Sequence, residues 1–205
     1  MIYEIRTYDL KPRSVPEFER RVAEKLKEGR QTYSPLFGFW YTEAGPLNQV
    51  VHIWPYDDAN QRLEVRAKSV ADGVWPPPVG EFIDHMHAAV YMPAPFMEAR
   101  GAAQLGPLYE MRIYTYAVGD IPRVIEKWGE HVGERQKYSP LVGAWYSDVG
   151  DLNVWIHMWA YSSFEERLKI RAETREKGVW PPPGGIAPLR QESKLLTPFN
   201  CSPLQ

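Results

Sequence analysis

One cysteine, Cys201, stands among 205 residues. No disulfide can therefore close within the chain, and a reducing compartment is the natural setting. No apolar run reaches the roughly 18 residues of a membrane span. The opening "MIYEIRTYDL" alternates like a strand rather than a signal peptide, so the expected location is cytoplasmic. Neither sign of charge dominates, with 24 Lys+Arg against 26 Asp+Glu and a net charge of -2. Without a basic field there is nothing to track a phosphate backbone, and no nucleic-acid partner is expected. The P-loop, the GxGxxG turn, the GxSxG elbow and the CxxC pair are missing too, and no cofactor is expected. His85 and His87 share a strand face at chelating spacing, but two ligands are too few for a metal site and none is expected.

What the chain does contain, it contains twice. "YEIRTY" at Tyr3 returns as "YEMRIY" at Tyr109, "YSPLFGFWYTEAG" at Tyr33 as "YSPLVGAWYSDVG" at Tyr138, "RLEVRA" at Arg62 as "RLKIRA" at Arg167, and "GVWPPP" recurs unchanged at Gly73 and Gly178. The spacing between copies drops by one residue inside the intervening helix and then holds. This divides the chain into a first repeat, 1–97, a small-residue linker, 98–106, and a second repeat, 107–205.

Each repeat carries the same run of elements. A period-two strand is followed by a helix with an N-terminal signal at Ser14 or Asp120. Two strands joined by a short hairpin loop come next, then a second helix with capping signals at Asp58/Gln61 and Ser163/Glu166, a proline-rich loop, and a fourth strand, fainter in the second copy. The order is βαββαβ, the ferredoxin-like split-βαβ unit, and the fold class is α+β.

Period-two alternation also sorts side chains onto faces. Tyr3 and Ile5 fall on one face with Val51 and Ile53, and Glu4, Arg6 and Tyr8 on the other with Asn48, His52, Trp54 and Tyr56. Glu110, Arg112, Tyr114, Asn153, His157, Trp159 and Tyr161 repeat the second set. The aliphatic face suits the helices. The aromatic and charged face would then need another cover, which the matching face of the other repeat supplies. The outcome expected is a closed eight-stranded barrel with those side chains inside and room for at most one small ligand.

The string "G-x-W-Y-x-[ED]-x-G-x-L-N … H-x-W-x-Y", present in both repeats, resembles the NIPSNAP family of the dimeric α+β-barrel superfamily. That resemblance implies two ferredoxin-like domains fused in one chain and paired through their sheets. It implies little about chemistry. The superfamily offers only analogies, among them cofactor-free monooxygenases.

His52 and His157 are the leading candidates as acid/base groups. Arg6 and Arg112 are the candidate anion stabilisers, Tyr8 and Tyr114 their hydrogen-bond partners, and Glu4 and Glu110 the carboxylates that could orient an imidazole. Trp40, Trp54, Tyr56 and Asn48, with Trp145, Trp159, Tyr161 and Asn153, would line the ligand site. The tryptophan of "GVWPPP" would act as a lid or plug at a barrel mouth. The expected function is binding, and conversion without a cofactor, of a small apolar or aromatic molecule bearing a carbonyl or acidic group. The alternative is an inert barrel serving as a protein–protein adaptor or stress-related factor. A small-molecule ligand is the expected partner, and a homo-oligomer stays open.

Overall fold

The computed structural model describes all residues, Met1–Gln205. The elements are β1 (Ile2–Leu10), α1 (Val15–Lys27), β2 (Gly38–Ala44), β3 (Gln49–Tyr56), α2 (Ala59–Ala71), β4 (Ile83–Pro93), β5 (Leu108–Thr115), α3 (Ile121–Gln136), β6 (Leu141–Val149), β7 (Val154–Tyr161), α4 (Phe164–Glu176) and β8 (Arg190–Pro198). The strands close into a barrel in the order β1-β3-β2-β8-β5-β7-β6-β4. Each repeat thus forms a four-stranded antiparallel sheet. The sheets join at two seams, β2 with β8 (Trp40 opposite Pro198) and β4 with β6 (Met92 opposite Tyr146). Closure leaves neither sheet with an open edge.

The inside of the barrel is one apolar cluster drawn from both repeats, including Tyr3, Ile5, Val51 and Ile53 with Tyr109, Met111, Ile156 and Met158. His52, Trp54, Tyr56, Glu4, Arg6, Tyr8 and their second-repeat equivalents lie on the outer face, beneath the helices. There Phe18, Val22 and Leu26 of α1 pack with Phe39, Trp54 and Tyr56, while Val124, Trp128 and Val132 of α3 pack with Trp155, Trp159 and Tyr161. For the first and third strands of each repeat the sequence sorts the side chains onto the right faces but assigns the faces to the wrong layers. The physical reason is charge. An eight-stranded interior is just filled by side chains, and a Glu–Arg pair sealed there would forfeit hydration with no further donors to compensate. On the outside, α2 and α4 supply those donors, with Arg62 at 2.5 Å from Glu4 and Arg167 at 2.6 Å from Glu110.

Trp40 and Trp145 are the exceptions among the expected ligand tryptophans, since both point into the barrel. Each ring lies over the glycine two residues earlier. A Cβ on Gly38 would come within 2.0 Å of the Trp40 ring, and one on Gly143 within 2.2 Å of the Trp145 ring, which explains the repeated "G-x-W".

Capping follows backbone conformation rather than residue type. Asp58 and Ser163 are extended and accept hydrogen bonds from the Gln61 and Glu166 backbone N–H groups at 2.9 and 3.1 Å. Ser14 and Asp120 have helical backbone angles and make no side-chain cap. The one-residue difference between repeats falls after α1. That helix stops before Gly29, at φ 110°, and a 3-10 turn, Arg30–Thr32, follows, whereas α3 continues to Gln136.

The repeats also complete each other outside the barrel. Past β4, Phe96 stacks on Trp128 of the second repeat. Past β8, Phe199 packs against Phe39 of the first, and the Ser202 hydroxyl accepts from the Phe39 N–H at 3.0 Å. Residues Leu105 and Gly106 donate backbone N–H groups to the Gln205 carbonyl. No helix is long and apolar enough to cross a membrane.

Candidate functional site

In each repeat, a β1-type strand and a β3-type strand lie side by side. Arg6 is registered with His52 and Glu4 with Trp54, and Arg112 with His157 and Glu110 with Trp159. Alternation carries the next tryptophan onto the same face as the histidine, and its indole N–H donates to the imidazole Nδ1, at 2.6 Å from Trp54 to His52 and 2.9 Å from Trp159 to His157. A neutral ring that accepts at Nδ1 must carry its proton on Nε2. In both histidines Nε2 is buried and has no partner in the protein.

Both imidazoles are held well below their ordinary pKa. For His52 the cause is burial first, then the charges of Arg6, Arg30 and Arg66. For His157 it is burial, then Arg112, with Glu110 opposing and Arg171 and Arg135 adding. They are neutral at neutral pH, and the Nε2 lone pair that a general base would need is already protonated. In this tautomer each side chain offers an N–H donor at Nε2. The native state resists protonation while the unfolded chain takes it up near pH 6.5. The stability this confers is therefore present above that pH and lost below it. Urea unfolding is expected to show stability falling as the pH drops below about 6.5, with a slope that approaches about 1.4 kcal/mol per pH unit for each histidine. That slope should vanish in a His52→Asn/His157→Asn double variant. An equal slope in the double variant would contradict the assignment.

Carboxylates sit behind the histidines. Glu110 is fully buried and accepts from Arg112 at 3.0 Å, Arg167 at 2.6 Å and the Ser193 hydroxyl at 3.1 Å, with Arg171 at 3.5 Å. Burial alone would raise its pKa, but the Arg167 hydrogen bond and the charges of Arg171, Arg112 and Arg167 hold it at about 2. Glu4 is also lowered, burial again opposing Arg62, Arg6 and Arg66. Arg6 additionally donates from Nε to the Tyr8 hydroxyl at 2.6 Å.

A further guanidinium in each repeat, Arg30 or Arg135, is 2% exposed and lies 4.2 Å from the Trp54 or Trp159 ring centre. Neither has a carboxylate partner. Arg135 donates to the Ser139 and Tyr161 hydroxyls, and Arg30 to the Ser34 carbonyl. Burial lowers the pKa of both. Sequence reasoning passed over this pair, although "R-Q-x-Y-S-P" recurs at Arg30 and Arg135 just after the register slip and could have exposed it.

Two cavities open against these groups. One, of about 540 Å³, lies beneath α3 and α4 and is lined by Arg112, Tyr114, Trp128, Arg135, His157, Trp159, Tyr161, Arg171 and the loop from Trp180 to Pro188. The other, of about 350 Å³, lies beneath α1 and α2 against Arg6, Tyr8, Phe18, Phe39, His52, Arg66 and the Trp75–Pro77 loop. The "GVWPPP" segments thus wall pockets on the outer face, with Trp180 packed edge-on at 4.5 Å to Trp128 and Trp75 at 5.7 Å to Trp54.

The expected residues fall into five groups. Arg6, Tyr8, His52, Arg112, Tyr114, His157, Trp159 and Tyr161 line the cavities. Glu4 and Glu110 anchor arginines from behind, and Trp54 and Tyr56 back the smaller cavity from the helix–sheet core. Trp40 and Trp145 lie in the barrel, away from both cavities. Asn48 and Asn153 occupy hairpin turns at φ 56° and 57°, their carbonyls accepting from the Leu10 and Tyr116 N–H groups, so their part is to shape the turn.

Two ferredoxin-like repeats closing one barrel with four helices outside define a fused member of the dimeric α+β barrels. A putative monooxygenase from Lactobacillus acidophilus shares this fold, with a TM-score of 0.69 over 96% of this chain and 92% of its own, at 15% identity. The NIPSNAP family model matches residues 3–98 and again 109–203, and the chain belongs to that family. NipSnap homolog 3A from Homo sapiens is 29% identical across 100% of this chain and 86% of its own length. A NipSnap homolog from Dictyostelium discoideum is 27% identical across 87% of this chain and 78% of its own.

Proposed function

We propose that this NIPSNAP protein binds small organic anions with an apolar or aromatic body, and that it does so under its helices rather than inside its barrel. The observation that carries this reading is the buried, unpartnered Nε2–H of His52 and His157 beside an uncompensated excess of guanidinium charge. Around Glu110 alone stand Arg112, Arg167 and Arg171, with Arg135 close by. A ligand carboxylate or enolate oxygen would pair the orphaned donor and offset the charge at once. The aromatic walls give a flat apolar body its contact area. The same donors would stabilise negative charge developing on a carbonyl oxygen, which is the chemistry open to the site without a cofactor.

Calorimetric titration with 1-naphthoate tests the reading. Saturable binding is expected, weakened at least tenfold, about 1.4 kcal/mol, by Arg171→Met in the second repeat or Arg66→Met in the first. Absence of saturable heat with the unaltered protein would remove the proposal.

A further inference from the structure

The two pockets are copies, yet they differ in one chemical direction. The larger is lined by five cationic side chains, Arg112, Lys127, Arg135, Arg171 and Arg175, and the smaller by two, Arg6 and Arg66. Neither lining contains a carboxylate. Arg135 and Lys127 have cationic counterparts in Arg30 and Arg21, outside the smaller lining, so the change of residue type rests on two positions. On the last turn of α4, Arg175 stands where α2 has Val70, each the twelfth residue of a thirteen-residue helix. On β8, Gln191 pairs with Tyr114 just as Met86 on β4 pairs with Tyr8. All four side chains line their cavities. Arg175 makes no ion pair, and Arg135, buried within the same pocket, has no carboxylate partner either. The Arg112 and Arg135 Nε groups and His157 Nε2 are buried without acceptors.

We infer that the fused repeats have become two different binding sites. The second takes an aromatic molecule with two or more negative charges, either a phosphomonoester or a dicarboxylate, and the first takes an apolar monoanion. Resting on the function proposed above, this inference adds which ligand goes where. One anionic group meets His157 Nε2–H, Arg112 and Arg135 at the floor, and a second meets Arg175 and Gln191 at the mouth. In the first repeat the mouth offers only Val70 and Met86, which favour a chain or ring over a charge.

A reciprocal exchange tests it, because Val70 and Met86 are 57% and 56% exposed and Arg175 and Gln191 are exposed too, so neither exchange disturbs the core. Calorimetry at pH 8, where a phosphomonoester is doubly charged, would compare 1-naphthyl phosphate and naphthalene-1,4-dicarboxylate with 1-naphthoate. Arg175→Val/Gln191→Met is expected to weaken at least one dianion tenfold or more while changing 1-naphthoate less than threefold. Whichever dianion responds identifies the acidic group the site takes. Val70→Arg/Met86→Gln is expected to raise the dianion stoichiometry from one to two. Normal 1-naphthoate binding with the dianion preference unmoved in both variants would overturn the inference and leave the parent reading standing. No binding of any probe to the unaltered protein would end both.

Discussion

Replacing Glu110 with alanine is expected to cost about 3–5 kcal/mol of stability, the usual consequence of deleting one partner from a buried ionic cluster. For a chain of this size that lowers the melting temperature by roughly 10 °C. Glu110 is 0% exposed and gathers Arg112, Arg167 and Arg171. Without it those guanidiniums would face each other and Arg135 with no counter-charge. Its pKa, held at about 2 against an unfolded value near 4.5, fixes the sign of the pH effect. The stabilisation is fully present above about pH 4.5 and disappears as the pH falls through about 2. Saturating 1-naphthyl phosphate should restore part of the lost melting temperature, since an anion in the second pocket supplies the missing charge. A variant that melts with the unaltered protein would show that the cluster is solvated and would contradict the burial argued above.

Separating the repeats should have a larger effect. Residues 1–106 alone would expose Tyr3, Phe37, Trp40 and Tyr91, now buried in the barrel with second-repeat partners, along with the free edges of β2 and β4. Those four rings would uncover roughly 600–1,000 Å². At about 25 cal/mol per Å² that is worth some 15–25 kcal/mol, against the 5–15 that hold a typical domain together. The fragment would also lose Phe199, which covers Phe39 from the other repeat. Sedimentation and near-ultraviolet circular dichroism are expected to find each half either unfolded or paired with itself. Mixing the halves should yield a one-to-one complex with the dichroism of the intact chain. A folded, monomeric half would show that the barrel interior is not what holds the repeats together.

Much of this was legible in the sequence, and the one large error has a definite cause. The internal repeat, the βαββαβ order and the membership of each strand face follow from periodicity alone, and the closed barrel follows from the need to cover both faces. Which face meets the helices does not follow, because both are rich in large apolar side chains. The deciding signal was present but distributed: Glu4 and Arg6 need charged neighbours, and Arg62 and Arg66, one turn apart on the second helix, are where those come from. Such a pairing between distant segments is invisible to periodicity. The neutral state of His52 and His157 was hidden for a similar reason. It depends on an indole two residues along the strand and on arginines from other elements. Trp40 and Trp145 do lie inside the barrel, where all the ligand tryptophans were expected, and the glycine two positions before each, whose missing Cβ is filled by the ring, is the signal that separates them from Trp54 and Trp159.

The central claim is that ligand chemistry occurs between helices and sheet while the barrel interior is solid packing. A crystal structure of the protein soaked in 1-naphthoate addresses it most directly. The expected result is a carboxylate within hydrogen-bond distance of His52 Nε2 and the Arg6 guanidinium, with the ring against Phe39 and Trp75. A ligand found among Tyr3, Trp40, Tyr109 and Trp145 inside the barrel would contradict the account.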